Sequence, residues 1–249
     1  MPILMALALI ICLTVAPRIV NAASTTLHPQ ADVTIWQIDP DTNHNDQWLR
    51  ADWVSPAADR ILVLFDLSLV PAGSHINSAT LNLYVDWMNF GFQYPRDFIA
   101  YRLTEDWTET GACWNTRGGG KGPWSTHGGT FVSSGASSVA IAYQAAFWQS
   151  WDVTTIVNDW VQGAPNYGFI VKISDEANGN AGINGYSREN TNQQSIPYLQ
   201  IDYATPMAVG GEMIPINQLQ VLLPWLALIA ALSIISVETL IRRRRTRNN

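Results

Sequence analysis

The chain has 249 residues, 14% of them charged and 47% hydrophobic, with a formal net charge of −6, 11 Trp and only 2 Cys. That balance excludes a disordered polar tail, a disulfide-built miniprotein and a polytopic membrane protein. The length admits one large domain or two small ones, and the averages conceal an uneven distribution of charge and hydrophobicity along the chain.

Residues 1–22 open on an uncharged apolar run, Met1 to Ala16, followed by Val20-Asn21-Ala22-Ala23. An apolar core before small residues is the pattern of a secretory signal, cleaved after Ala22 or Ala23, although no Lys or Arg precedes the core. From residue 24 to 204 the periodicity is that of strands. Ala31 to Trp36 alternates, and Arg60 to Leu67 is a continuous apolar run that reads as a central strand buried on both faces. Ala79 to Val85 alternates again, with Leu81, Leu83 and Val85 on one face. Phe98–Leu103, Gly168–Ile173 and Tyr198–Tyr203 follow the same pattern. Turn chemistry separates these runs at 39–46, 71–74, 118–123 and 178–182. One helix is expected over 153–161, where Val153, Ile156, Val157 and Trp160 share a face, with Asp152 as its N-cap and Gly163 as its terminator. No period of 20–50 residues recurs, so this region is a single all-β domain, expected to be an antiparallel β-sandwich of jelly-roll type with one short helix.

A linker over 205–218 leads to residues 219–241, whose central part, Val221 to Val237, carries no charge. About 20 such residues span a ~30 Å hydrocarbon core. The Arg242-Arg243-Arg244-Arg245 cluster that opens the basic tail 242–249 marks the cytoplasmic side, which puts the domain outside. The expected product is an exported protein held at the cell membrane by one span, or linked to the surface if the terminal segment is a cleaved sorting signal. Arg18 and the five tail Arg account for six of the 14 basic residues, and Glu238 for one of the 20 acidic ones. Residues 23–218 therefore carry eight basic and 19 acidic groups, a net of −11, a field that repels nucleic acid and anionic lipid. Cys113 is the one Cys of this region and is expected as a buried small hydrophobe.

Ordered landmarks run through the domain: Arg60-x-Leu62-x-x-Phe65-Asp66-Leu67, Val70-Pro71-Ala72-Gly73, Asp106-Trp107-Thr108-Glu109, Trp151-Asp152-Val153-Thr154, Ser187-Arg188-Glu189 and Pro197-Tyr198-Leu199. This series resembles the DNRLRE domain, also described as carbohydrate-binding module family 96, over about 28–204. Asp32, Asn43, Arg60, Leu62, Arg188 and Glu189 match the letters of the family signature; Leu64 stands where the family often has Arg. The resemblance implies a non-catalytic β-sandwich that binds carbohydrate, in some members an acidic polysaccharide such as alginate.

The residues themselves add two candidate binding features. Asp39-x-Asp41-x-Asn43-x-Asn45-Asp46 offers oxygen ligands at alternate positions, the spacing a hard cation prefers, so Asp39, Asp41, Asn43 and Asp46 are candidate calcium ligands or an ordinary Asx-turn loop. Trp48, Trp53, Trp87, Trp124 and Trp148 fall outside the strongest strand signatures, and Trp48, Trp53 and Trp124 are candidates for stacking on sugar rings. Arg188 with Glu189, and Arg60, are equally suited to an ion-pair network that fixes the fold. An acidic glycan would require Arg96, Arg102, Lys121, Lys172 and Arg188 to converge. The four His are scattered without metal spacing, no nucleophile elbow or P-loop occurs, and Glu105, Asp106 and Glu109 are expected in turn or capping roles. Three functions are thus open: a membrane-anchored, non-catalytic carbohydrate-binding module; a structural or adhesive surface protein contacting other proteins or the envelope; and an extracellular polysaccharide lyase or hydrolase. The first is the expected one, with the second beside it.

Overall fold

The computed structural model describes residues 22–88, 94–144, 146–177 and 181–206. The expected signal up to Asn21, the linker from Met207, the span at 219–241 and the basic tail lie outside the described residues. Among the described residues, no helix is long and apolar enough to cross a membrane.

The described elements are, in order, β1 (Ala22–Leu27), β2 (Pro29–Trp36), β3 (Trp48–Val54), β4 (Ala57–Phe65), β5 (His75–Met88), β6 (Arg96–Leu103), β7 (Phe131–Ile141), β8 (Phe147–Asp152), α1 (Thr154–Val161), β9 (Phe169–Ile173), β10 (Ala181–Tyr186) and β11 (Tyr198–Ala204). Every strand pairing among them is antiparallel. The expected all-β class with one short helix is thus observed, but not as two separate sheets. The strands form one hydrogen-bonded sheet in the order β1-β11-β5-β10-β3-β4-β9-β6-β7, with β2 added to β4 and β8 added to β5.

That sheet curls over on itself. Leu81, Leu83 and Val85 of β5, Trp151 of β8 and Leu199 of β11 share one core with Ile61 and Val63 of β4, Phe98 of β6 and Val171 of β9. The pairing of β3 with β4 joins the two halves, so the fold gains a sandwich-like interior without an edge at that corner. A second, smaller core covers the opposite face of β4 and β9. There Val33, Ile35, Leu62 and Ile170 meet Trp107, Trp114 and Trp124 from the long segment between β6 and β7.

The continuous apolar run of β4 follows from this double burial: Ile61, Val63 and Phe65 enter the first core while Leu62 enters the second. Each such side chain contributes roughly 1.5–3 kcal/mol relative to leaving it in water. On α1, Ile156, Val157 and Trp160 are buried as their spacing predicts. The helix starts one residue later than expected, with Val153 in the cap position. Asp152 still serves the helix start, its Oδ1 accepting the Thr154 N–H at 3.0 Å. Gly163 ends the helix at φ +108°, and its N–H reaches the Trp160 carbonyl at 3.0 Å.

Five strands carry no clear sequence signature: β1, β3, β7, β8 and β10. Strand β7 is rich in Ser and mostly half-exposed or exposed, as suits the end of the sheet order. Cys113 is buried and free, as expected.

Candidate functional site

Four of the six signature positions converge. Asp32 on β2 and the segment Ser187–Glu189 after β10 are tied directly, because the Arg188 N–H donates to Asp32 Oδ2 at 3.0 Å. Glu109, from the segment between β6 and β7, closes the group: its Oε1 accepts the Asp32 N–H at 3.0 Å, and its two carboxylate oxygens accept from Arg188 Nη1 at 2.9 and 2.8 Å. Asn43 anchors the same segment, donating from Nδ2 to the carbonyls of Glu109 and Ala112 at 2.8 and 2.7 Å. Burial, with the neighbouring Glu189 charge, holds the Asp32 carboxyl well above its ordinary range, while the hydrogen bond to Glu109 pushes the Arg188 guanidinium further up.

The remaining signature residues serve elsewhere. Arg60 on β4 forms a two-pronged contact with Glu176, Nε to Oε1 at 2.8 Å and Nη2 to Oε2 at 2.7 Å. Its Nη1 donates to the Gly128 carbonyl at 2.7 Å, and the guanidinium lies 4.6 Å from the Trp114 ring centre. Lys172 reaches the same Glu176 at 3.0 Å, and burial lowers its pKa. Leu62 is fully buried in the second core. Arg60 and Arg188 therefore belong to two networks with separate carboxylates.

In the 39–46 loop one oxygen of each Asp holds a turn or a neighbouring segment. Asp39 accepts from Thr42 Oγ1 at 2.8 Å and lies 3.4 Å from His44, Asp41 accepts from Asn115 at 2.8 Å, and Asp46 accepts the Trp48 N–H at 2.7 Å. Among the described residues, the acidic groups whose oxygens gather within 4.8 Å of one another are Asp32, Glu109 and Glu189. The other carboxylates of the Glu105 to Glu109 stretch are structural: Glu105 accepts from the Ser125 N–H and Oγ, and Asp106 is paired with Arg117 and Lys121.

A second constellation lies on the outer face of the half-sheet formed by β3, β10, β5, β8 and β11. Alternation along each strand sends Leu49, Ile183, Val85, Trp151 and Leu199 inward, and it sends Trp48, Tyr186, Tyr84, Trp148 and Tyr198 outward. Register then makes neighbours of them, since Trp48 is directly opposite Tyr186 and Tyr84 directly opposite Trp148. The ring centres are 5.0 Å apart for Trp48 and Tyr186, 5.6 Å for Tyr186 and Tyr84, 5.4 Å for Tyr84 and Trp148, and 4.9 Å for Trp148 and Tyr198. Five rings thus form an unbroken row, with Trp48 46% and Trp148 38% exposed. From β3 to β8 the row crosses three strand spacings, about 14 Å. The Tyr186 hydroxyl donates to Asp86 at 2.9 Å, which fixes that ring and raises its pKa. Trp87, opposite Asn184 beside the register shift between β10 and β5, is also exposed.

At its Trp48 end the row adjoins a cavity of about 230 Å³ lined by Thr34, Trp36, Asp46, Trp48, Arg50 and Asn184. Trp36 is sandwiched there between the His44 ring, 3.6 Å away, and the Arg50 guanidinium, 4.3 Å away. Trp36 Nε1 and Asn184 Nδ2 are donors without a hydrogen-bond partner.

Of the three Trp proposed from sequence for sugar stacking, only Trp48 belongs to this row. Trp53 is half-buried between the two cores. Trp124 is 3% exposed, with its Nε1 donating to the Cys113 carbonyl at 2.9 Å, so its faces are not offered to solvent. A Gly-rich loop position led to the expectation of exposure there, and the second core explains the burial. Tyr84, Tyr186, Tyr198 and Trp148 are not among the stacking candidates read from the sequence; the signal that joins them is cross-strand register.

The sequence profile of carbohydrate-binding module family 96 matches residues 23–203. No curated protein matches the chain.

Proposed function

The chain belongs to carbohydrate-binding module family 96, and we propose that it binds an uncharged polysaccharide, without acting on it chemically, along the row from Trp48 to Tyr198. The observation that carries this reading is the row itself: five aromatic side chains in contact on one outer sheet face, with indoles open to solvent at Trp48 and Trp148. The apolar, slightly positive C–H face of a pyranose ring complements the negative face of an indole or phenol. Rings at about 5 Å steps offer that contact repeatedly, and the cavity at the Trp48 end adds the polar side chains of Thr34, Asp46 and Arg50 beside it.

Charge favours an uncharged ligand over an acidic one. The domain carries −11, and four of the five cations an acidic glycan would draw on are already paired with carboxylates: Arg102 with Asp159, Lys121 with Asp106, Lys172 with Glu176 and Arg188 with Glu109. Glu105, Asp106 and Glu109 each hold structural partners, which favours a binding role over acid–base chemistry. In the cell, the apolar run before Ala22 and the 219–241 segment with its Arg cluster support an exported domain anchored by one span, its C-terminus inside.

Binding to immobilised cellulose, xylan, mannan, chitin and alginate tests the ligand. Retention on an uncharged glycan is expected, with affinity reduced about tenfold in Trp148→Ala and Trp48→Ala, the loss of one stacking contact. Binding to alginate alone would overturn the ligand class, and binding to no glycan would favour the adhesive role.

A further inference from the structure

We propose that Asp32, Glu109 and Glu189 hold a calcium ion. The site is independent of the glycan-binding row and lies away from the 39–46 loop, where Asp39, Asp41 and Asp46 each give one oxygen to Thr42, Asn115 and the Trp48 N–H. One oxygen from each of the three carboxylates lies within 4.8 Å of the others, close enough for one ion to touch all three.

What points to a ligand is the state of Asp32. Its side chain is 0% exposed, and while Oδ2 accepts the Arg188 N–H, Oδ1 has no hydrogen-bond partner. Glu189 Oε2 is likewise shielded from solvent and without a partner. Two carboxylate oxygens cannot satisfy each other, because neither carries a hydrogen to donate; they need a proton or a cation between them. The charge balance selects a divalent ion. Arg188, 2.8 Å from Glu109 and 3.7 Å from Glu189, offsets one of the three negative charges and leaves two.

The donor set selects calcium. All three donors are carboxylate oxygens, which disfavours zinc with its preference for His and Cys. They come from three separate stretches of chain: β2, the segment between β6 and β7, and the segment after β10. Such a set adapts to the variable coordination of calcium more readily than to the strict octahedron of magnesium. An ion there would tie those three stretches together, which gives the signature residues Asp32 and Glu189 a shared purpose.

Calorimetric titration of calcium chloride into the chelator-treated full-length chain, paired with thermal melting, tests the assignment without any glycan. One binding site is expected, with Tm raised by roughly 5–10 °C at a hundredfold excess over Kd. Magnesium at the same concentration should do neither. Glu189→Gln should remain folded by circular dichroism and lose the heat and the shift, and Asp32→Asn should do the same. Glu105→Gln, which alters a carboxylate held by Ser125, should bind calcium as the parent does. Absence of heat and of a Tm shift in the folded parent protein would overturn the proposal and leave a shared proton between Asp32 and Glu189. Undiminished binding by Glu189→Gln would overturn it too, as would equal binding of magnesium.

Discussion

Arg188 Nη1 lies 2.9 and 2.8 Å from the two carboxylate oxygens of Glu109, a residue 79 positions earlier in the chain. That contact, together with the Arg188 N–H bond to Asp32, clasps β2, the long segment between β6 and β7 and the segment after β10. Replacing Arg188 with Ala leaves Glu109, Asp32 and Glu189 as three neighbouring acids without their cation. Arg188 is 36% exposed, so solvent screens part of that cost. The expected loss of stability is about 1–2 kcal/mol, read from urea melts in chelator. An unchanged midpoint would show that the clasp does not hold these segments.

Arg60 should matter more than Arg188. Its side chain and that of Glu176 are only 12% and 17% exposed, and besides the ion pair it satisfies the Gly128 carbonyl and stacks on Trp114. Arg60→Ala removes all of these together, leaving Glu176 with Lys172 alone. We expect about 3 kcal/mol of destabilisation, and Arg60→Lys should recover little of it, because an ammonium cannot reproduce the two-pronged contact. Urea midpoints for the two variants check this, and full recovery by Lys would show that charge rather than fork geometry is what counts.

The start of α1 should be sensitive to acid. Hydrogen bonds from the Thr154 hydroxyl and N–H lower the Asp152 pKa below its ordinary value of 3.8. A carboxylate whose pKa is depressed on folding adds stability that is fully present above the unfolded pKa, and that is lost as pH falls through the folded one. The Asp152 contribution is therefore intact above about pH 4 and fades below it. Stability measured from pH 5 to pH 2 should fall less steeply in Asp152→Asn than in the parent, and identical slopes would remove Asp152 from the acid response.

The elements legible in the sequence were those where one physical cause dominates. β4 reads as a doubly buried strand because Ile61, Leu62, Val63 and Phe65 are all apolar, and α1 reads as a helix because Ile156, Val157 and Trp160 repeat at helical spacing. β7 was not legible, since a half-exposed strand rich in Ser carries no apolar alternation. β10 was half lost to the turn read at 178–182, because its Gly182 and Gly185 look like turn residues although both lie in a paired strand. At the site, Asp32, Asn43, Arg188 and Glu189 could be picked out as a set, but Glu109 as their hub could not, because the contact is made by tertiary folding. The aromatic row was hidden for a similar reason. Tyr84 and Trp148 are 64 positions apart and become neighbours only through the register of β5 with β8, whereas Trp124 sits in a Gly-rich stretch that suggests exposure and is in fact covered by the second core.

Gly185 connects the backbone to the aromatic row. It lies at the bulge where β10 pairs with β5, and a Cβ built there would sit 2.2 Å from the Tyr84 carbonyl oxygen. Real atoms do not approach so closely, and the neighbour is backbone rather than a flexible side chain, so any side chain at 185 must push β5 away at Tyr84. Tyr84 is the middle ring of the row, 5.6 Å from Tyr186 and 5.4 Å from Trp148. Gly185→Ala should therefore cost about 1–3 kcal/mol of stability through overpacking and also weaken glycan binding, although no atom of the row has been removed. Tyr84→Phe, which keeps the ring, should bind as the parent does. Titrations on the same glycan at a temperature where both variants are folded separate the two effects. Gly185→Ala binding with parent affinity would show that the row tolerates displacement of its centre, and that stacking on Trp48 and Trp148 alone holds the sugar.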